Sequence, residues 1–204
     1  LIACKFNLSV QTLGTYYSQN LIKNRLRKFK PKIIFTKKHL LFFFKRNDKK
    51  VKVFDYKISK RKIYNNKNFI KKGLNRKLLA VESSGTTGSS KTVIFSEKCK
   101  ILRSLSAINT YKLTNKDIFI STAPFDHSVG HRQIFLPIIL GSTNIILKNF
   151  HPKLWIENIK KYKVSFTLLV STQITKIIET LNLNMKNTKY LKNIVSVSTK
   201  LNHR

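Results

Sequence analysis

Acidic residues are scarce in this chain: 8 Asp and Glu stand against 41 Lys and Arg, a formal net charge of +33 over 204 residues. Cysteine is scarcer still. Cys4 and Cys99 lie far apart and in no metal-like spacing, which excludes a disulfide scaffold and a cysteine zinc site and fits a reducing, cytosolic setting. Long apolar runs are missing too. Leu40–Phe44 is too short to cross a bilayer, and Pro137 and Gly141 interrupt the apolar stretch Ile134–Leu147 below spanning length. No charged segment leads into a long apolar run, so no secretory signal is read and a soluble, cytoplasmic protein is expected. The chain opens on Leu1 rather than Met, so the sequence is expected to begin inside a longer gene product. No internal repeat is found.

What is present suffices for one packed domain: 42% of residues are hydrophobic and 11% aromatic. Apolar segments recur from Leu1 to Val197, which argues against disorder. The positive excess is mainly Lys, scattered along the chain and accompanied by abundant Asn, Ile and Phe. All four have A/T-rich codons, so base composition accounts for the charge without a polyanionic partner. A nucleic-acid partner is the competing reading, with Lys23–Lys32 and Lys57–Lys62 as its basic patches. No stacking module or recognition-helix motif accompanies those runs, so it is the weaker of the two. A degenerate homologue with a scaffold role is a third.

Hydrophobic periodicity alternates between short β-type and longer helical patterns. Helices are expected over Leu21–Phe29, Gly130–Leu140, Lys153–Tyr162 and Thr172–Leu181. Another should start at Ser96 as N-cap, with Glu97 in its first turn and Ile101, Leu102, Leu105 and Ile108 on its buried face. Strands are expected at Lys32–Thr36, Val51–Asp55, Leu78–Ser83, Thr92–Phe95, Ile118–Ser121, Ile145–Leu147, Phe166–Val170 and Ile194–Val197. Such alternation implies an α/β fold, a layered sheet paired in parallel through crossover helices. Trp155 should anchor the core, and His131 should pack or face solvent.

The segment Ser83-Ser84-Gly85-Thr86-Thr87-Gly88-Ser89-Ser90-Lys91 carries the chemistry. Gly85 and Gly88 let the backbone curl with several N–H groups pointing inward. Ser83, Ser84, Thr86 and Thr87 add hydroxyls, and Lys91 adds a positive charge. Amides, hydroxyls and an ammonium together suit a polyphosphate. It is not a P-loop, because Lys91 lies three residues after Gly88, and it is not GxGxxG, because Gly85 and Gly88 have no third partner. An ordinary Ser/Gly turn between strands is the bland alternative. Asp126, His127 and Ser128 are adjacent and cannot converge on one reacting atom as a hydrolytic triad.

Ser83–Lys91 resembles the signature loop of the adenylate-forming superfamily, which includes acyl-CoA synthetases, luciferases and peptide-synthetase adenylation domains. Ser90 stands where Pro is usual and Thr92 where Gly is usual, changes that loosen or re-aim the loop. Pro124-Phe125-Asp126-His127-Ser128-Val129-Gly130 is similar to the family's next motif, in which a histidine borders the acyl and adenylate pocket; His127 occupies that place. Upstream, Lys30–Phe35 resembles a strand of the family's first subdomain, and segments around Leu140–Leu147, His151–Phe166 and Val195–Leu201 follow in family order.

The resemblance implies a partial N-terminal domain of the adenylate-forming fold, with 1–77 as an upstream portion and 78–204 carrying the phosphate loop and acyl pocket. It implies ATP-dependent activation of a small carboxylic acid, then thioester formation with coenzyme A or a carrier-protein phosphopantetheine. Ser83, Ser84, Gly85, Thr86, Thr87, Gly88 and Lys91 would hold the ATP phosphates. It also implies Mg2+, whose carboxylate ligand lies outside this sequence, as do the adenine and ribose contacts and the C-terminal domain. These 204 residues alone are therefore expected to be inactive. A short-chain acyl-CoA synthetase is the first choice. Phe125-Asp126-His127-Ser128 also fits the Phe-Asp-x-Ser of peptide-synthetase adenylation domains.

Overall fold

A computed structural model describes residues 9–14, 16–36, 52–55, 75–83, 91–181 and 188–197. The chain divides into two compact units, one of Leu13–Lys71 and one of Leu1–Thr12 with Lys72–Arg204.

In the smaller unit, helix α1 spans Gln19–Phe29. The Ser18 hydroxyl accepts from the Leu21 N–H at 3.3 Å, satisfying a donor that the first helical turn leaves over. Arg27 and Lys28 occupy the last turn, where the helix dipole favours cations, and Lys30 ends the helix in the left-handed region at φ 48°. Strands β2 (Ile33–Thr36) and β3 (Lys52–Asp55) pair in parallel.

The larger unit contains two sheets. Strand β4 (Lys77–Ser83) is central in the first, parallel to β1 (Val10–Gln11) and antiparallel to β5 (Lys91–Ser96). The antiparallel pair departs from the all-parallel expectation. A parallel partner needs a crossover of a dozen or more residues, and only 84–90 separate these strands. From β5 the chain enters α2 (Glu97–Thr110), where the Ser96 hydroxyl accepts from Cys99 N–H at 3.1 Å. Glu97 in the first turn pairs with Arg76, both side chains largely buried.

The second sheet is parallel throughout, in the order β7-β6-β8-β9, with β6 at Ile118–Ser121, β7 at Thr143–Ile146, β8 at Phe166–Val170 and β9 at Asn193–Val197. Its crossovers are α3 (Ser128–Leu140), α4 (Pro152–Tyr162) and α5 (Ser171–Leu181). The chain steps outward from β6 to β7, then back past β6 to β8 and on to β9. Right-handed crossovers therefore put α3 on one face and α4 and α5 on the other. Two cores follow from this. Ala107, Leu113, Phe119, Leu136, Phe166 and Leu168 pack beneath α2 and α3, while Ile120, Trp155, Ile159, Val164, Leu169 and Ile177 pack beneath α4 and α5. Neighbours Phe119 and Ile120 point to opposite faces, as strand pleating requires.

The α2 stripe differs from expectation. Leu102 and Leu105 are exposed, and Lys100, Ser104 and Ala107 face inward. The buried row is narrow and small because Lys100 lies over the Phe95 ring and the Ser104 hydroxyl donates to the Lys100 carbonyl at 2.9 Å. Trp155 is fully buried as expected, and His131 belongs to the interior. At the end of α3, Gly141 takes φ +67°, a conformation that disfavours any side chain.

Candidate functional site

In the parallel sheet, β6 sends its helix toward β7 and β8 sends its helix toward β9. The order reverses between them, and ligands of open α/β sheets bind at the carboxyl ends of strands flanking such a switch. The segment 122–127 leaves β6 at that point. Pro124 and His127 close a turn, His127 N–H donating to Pro124 carbonyl at 3.2 Å.

Several contacts fasten this turn. Gly130 lies so close beneath it that a Cβ there would meet the Pro124 oxygen at 2.0 Å, so only glycine fits. From the same helix, the buried Gln133 reaches under the strand ends. Its Oε1 accepts from Thr122 and Ala123 N–H at 3.0 and 2.9 Å, and its Nε2 donates to the Leu168 carbonyl at 2.6 Å. One carboxamide thus ties the exit of β6 to β8. Pro137, four residues on, has no N–H to give the Gln133 carbonyl. That oxygen accepts instead from Ser121 Oγ at 3.2 Å and Asn144 Nδ2 at 3.3 Å, so the kink position is satisfied by strand side chains. Gln173 of α5 adds a further link, accepting from Val170 N–H and the Thr122 hydroxyl.

Just after β1, the Thr12 hydroxyl donates to the Phe125 carbonyl at 2.7 Å and lies 3.2 Å from His131 Nε2. Burial lowers the His131 pKa to about 4, with the Lys100 charge acting in the same direction. His131 is therefore a neutral interior group near pH 7. His127 differs. It precedes α3, its side chain is 55% exposed, and its Nε2 lies 3.8 Å from Oδ2 of the buried Asp126. It projects where a bound molecule can reach it.

The other expected site segment sits at the end of the β4–β5 hairpin. Ser83 and Lys91 are direct partners across the ladder, and Lys91 is exposed. Ser84, Gly85, Thr86, Thr87 and Gly88 lie outside the described residues. The ladder brings the two ends of the segment together at one sheet edge. Among the described residues, no group of three or more His, Cys, Asp or Glu could hold a metal ion, and no helix is long and apolar enough to cross a membrane. Gln133 and Thr12 were not singled out in the sequence. Pro137 four residues after a glutamine was the one available signal for the first.

The family described as AMP-binding enzyme matches residues 3–203, and the chain belongs to it. Solved structures agree in fold. MatB from Rhodopseudomonas palustris with ATP bound superposes with a TM-score of 0.84 at 18% identity, covering 98% of this chain and 41% of that one. The ATP-bound chimera RpMatB-BxBclM B1 gives 0.86 at 18% identity, with 98% and 41% covered. The o-succinylbenzoate CoA synthetase MenE from Bacillus subtilis, in complex with the acyl-adenylate intermediate OSB-AMP, gives 0.80 at 17% identity, with 97% and 51% covered. This chain spans about half or less of each. The shared architecture is the mixed α/β N-terminal domain of adenylate-forming enzymes.

Proposed function

We propose that this AMP-binding family member supplies the ATP-phosphate side of a site that activates a small carboxylic acid as its acyl-adenylate and passes the acyl group to a thiol. The observation that carries the reading is the direct pairing of Ser83 with Lys91. A hydroxyl-rich, glycine-containing segment begins and ends at one point of the hairpin, with an exposed ammonium at its exit.

In this reading Ser83, Ser84, Gly85, Thr86, Thr87 and Gly88 offer amide and hydroxyl donors to the β- and γ-phosphates, and Lys91 offers its charge. A carboxylate oxygen attacks the α-phosphorus while the bond to pyrophosphate breaks. Negative charge grows on the departing pyrophosphate, and donors already in place stabilise it without reorganising. The thiol sulfur then attacks the acyl carbon, and AMP leaves with the bonding pair. His127 borders the acyl and adenylate pocket. Its position beside the switch between β6 and β8 supports that assignment, and Gly130, Gln133 and Thr12 hold the turn that carries it. Magnesium would neutralise phosphate charge, with its carboxylate ligand outside this sequence.

Residues 78–204 form the phosphate-loop and acyl-pocket portion of this reading, and 1–77 the upstream portion. The setting is cytoplasmic, and the acceptor is coenzyme A. Phe125-Asp126-His127-Ser128 favours a second reading, a peptide-synthetase adenylation domain, in which the acceptor is a carrier-protein phosphopantetheine.

Calorimetric titration of the 204-residue chain with ATP tests the proposal. Saturable one-to-one binding is expected, without carboxylate-dependent exchange of labelled pyrophosphate into ATP. Absence of ATP binding would overturn the nucleotide reading. Exchange by this chain alone would overturn the assignment of the remaining catalytic parts to sequence outside it.

A further inference from the structure

The parallel sheet has a second end. Its carboxyl ends carry the His127 turn. The turns entering β6, β8 and β9, residues 111–117, 163–165 and 188–192, lie at its amino ends, and β6 alone puts about 13 Å between the two. Hydrogen bonds gather these three turns into one surface. The Ser165 carbonyl accepts from Lys192 and Asn193 N–H at 2.9 and 3.2 Å, and Ser165 Oγ donates to Asp117 Oδ1 at 2.8 Å. Asn193 Nδ2 donates to the Tyr111 carbonyl at 3.3 Å.

Exposed charge on these turns is all of one sign. Lys112, Lys116, Lys163, Lys189 and Lys192 are exposed, whereas Asp117, the one carboxylate, is buried and paired with Lys192 at 3.0 Å. Glu157 and Glu179 sit on α4 and α5, not on the turns. The negative ends of the α2 and α4 dipoles explain cations at Lys112 and Lys163, but Lys116 and Lys189 have no such reason. Two tyrosines stand among the ammonium groups. Tyr162, at the end of α4, is 39% exposed, with Lys161 Nζ 5.1 Å from its ring centroid. The half-buried Tyr190 has Lys189 Nζ at 5.1 Å and Lys163 Nζ at 5.9 Å. Base composition accounts for the number of lysines, not for their placement around two rings.

We propose that this surface binds single-stranded nucleic acid without sequence preference. The lysines supply point charges to successive phosphates, and a base stacks on the Tyr162 ring, displacing an ammonium that then meets the adjoining phosphate. The surface is made of turns, with no projecting helix or ribbon to enter a duplex groove, which favours a single strand. A lipid surface is disfavoured, because none of the three turns exposes a large aliphatic side chain to insert. The surface shares no residue with Lys23–Lys32, Lys57–Lys62 or Ser83–Lys91, and the inference does not rest on the proposed adenylation.

The test is fluorescence anisotropy of a labelled oligothymidylate with a 5′-hydroxyl, on the order of 15 nucleotides, titrated with the 204-residue chain in about 0.15 M NaCl. Saturable binding is expected, its log affinity falling linearly as log salt rises. Lys116→Gln/Lys163→Gln/Lys189→Gln, all at exposed positions, should weaken it at least tenfold and make the salt slope shallower by about 2. Lys98→Gln/Lys148→Gln/Lys153→Gln removes the same charge from exposed positions elsewhere and should change affinity less than about threefold, as should Lys91→Ala. Tyr162→Leu should weaken binding about fivefold or more with the salt slope unchanged, an effect that charge alone does not produce. The proposal is overturned by the lack of saturable binding, by an equal loss in the charge-matched control, by a loss confined to Lys91→Ala, or by unchanged affinity in Tyr162→Leu. Binding to phosphatidylserine vesicles without binding to the oligonucleotide would overturn it too.

Discussion

The two sheets of the larger unit are built on opposite plans. The parallel sheet is covered on both faces, and β8 is buried from Phe166 to Leu169. Its strand ends are tied together by Gln133, and the turn that carries His127 is held from below by Gly130 and from the side by Thr12. The smaller sheet is buried only along its central strand: Leu78, Leu79, Ala80 and Val81 are interior, whereas Val93 and Ile94 of β5 are 43% and 51% exposed. An edge strand with one wet face can deliver Lys91 to solvent, but it adds little to stability. The comparison teaches that the fold separates two tasks. A doubly covered sheet holds the turn that carries His127, and an exposed edge strand presents Lys91.

Substitutions should separate these plans by size of effect. Trp155→Ala empties the α4/α5 core at a fully buried position, and a loss of about 3–5 kcal/mol is expected in denaturant unfolding. A loss below about 1 kcal/mol would mean that this face is not the stabilising one. Gln133→Leu keeps the volume but strands two N–H groups and one carbonyl, and about 3 kcal/mol should be lost. Amide exchange at Thr122 and Ala123 should accelerate with it; unchanged exchange would show that the carboxamide is not what holds the turn.

A smaller effect concerns pH. His131 has a folded pKa lowered to about 4 from 6.5, so between these values the unfolded chain binds the proton that the folded chain refuses. Stability from this group is complete above pH 6.5 and is lost as pH falls toward 4, with a slope of at most about 1.4 kcal/mol per unit. His131→Asn should flatten that slope. A slope that survives the substitution would assign it to other groups. Smallest of all, Val93→Ala on the exposed edge should cost less than about 1 kcal/mol. A core-sized loss there would erase the contrast between the sheets.

Much of this architecture was legible in the residues. Ile118–Ser121 and Phe166–Val170 have the expected bounds because continuous apolar runs flanked by polar turns mark buried parallel strands. Ser96 capping α2 was readable for a similar reason, since a serine before an acidic first turn has a specific local task. The two-residue strand β1 was not legible, being too short to show a period. The buried face of α2 was misjudged because leucine spacing competes with a tertiary contact that no local pattern reveals: the pull of Phe95 on Lys100. For the site, the turn Pro124–Gly130 could be found by motif. Its support Thr12 could not, because it bonds to a backbone atom distant in sequence, and for Gln133, whose carboxamide reaches Leu168, the only local sign was Pro137 four residues on. Ser84–Gly88 lies outside the described residues, so the role proposed for it rests on the pairing of Ser83 with Lys91 and on family membership.

The central claim is that the hairpin end grips the ATP triphosphate. Comparing ATP and AMP affinities of the unaltered chain and of Lys91→Ala tests it most directly, since AMP lacks the β- and γ-phosphates. A charge-assisted contact to those phosphates is worth roughly 1.5–3 kcal/mol, so ATP should bind about 10- to 150-fold more weakly to Lys91→Ala while AMP is unaffected. Equal losses for both nucleotides, or no loss for ATP, would contradict the account.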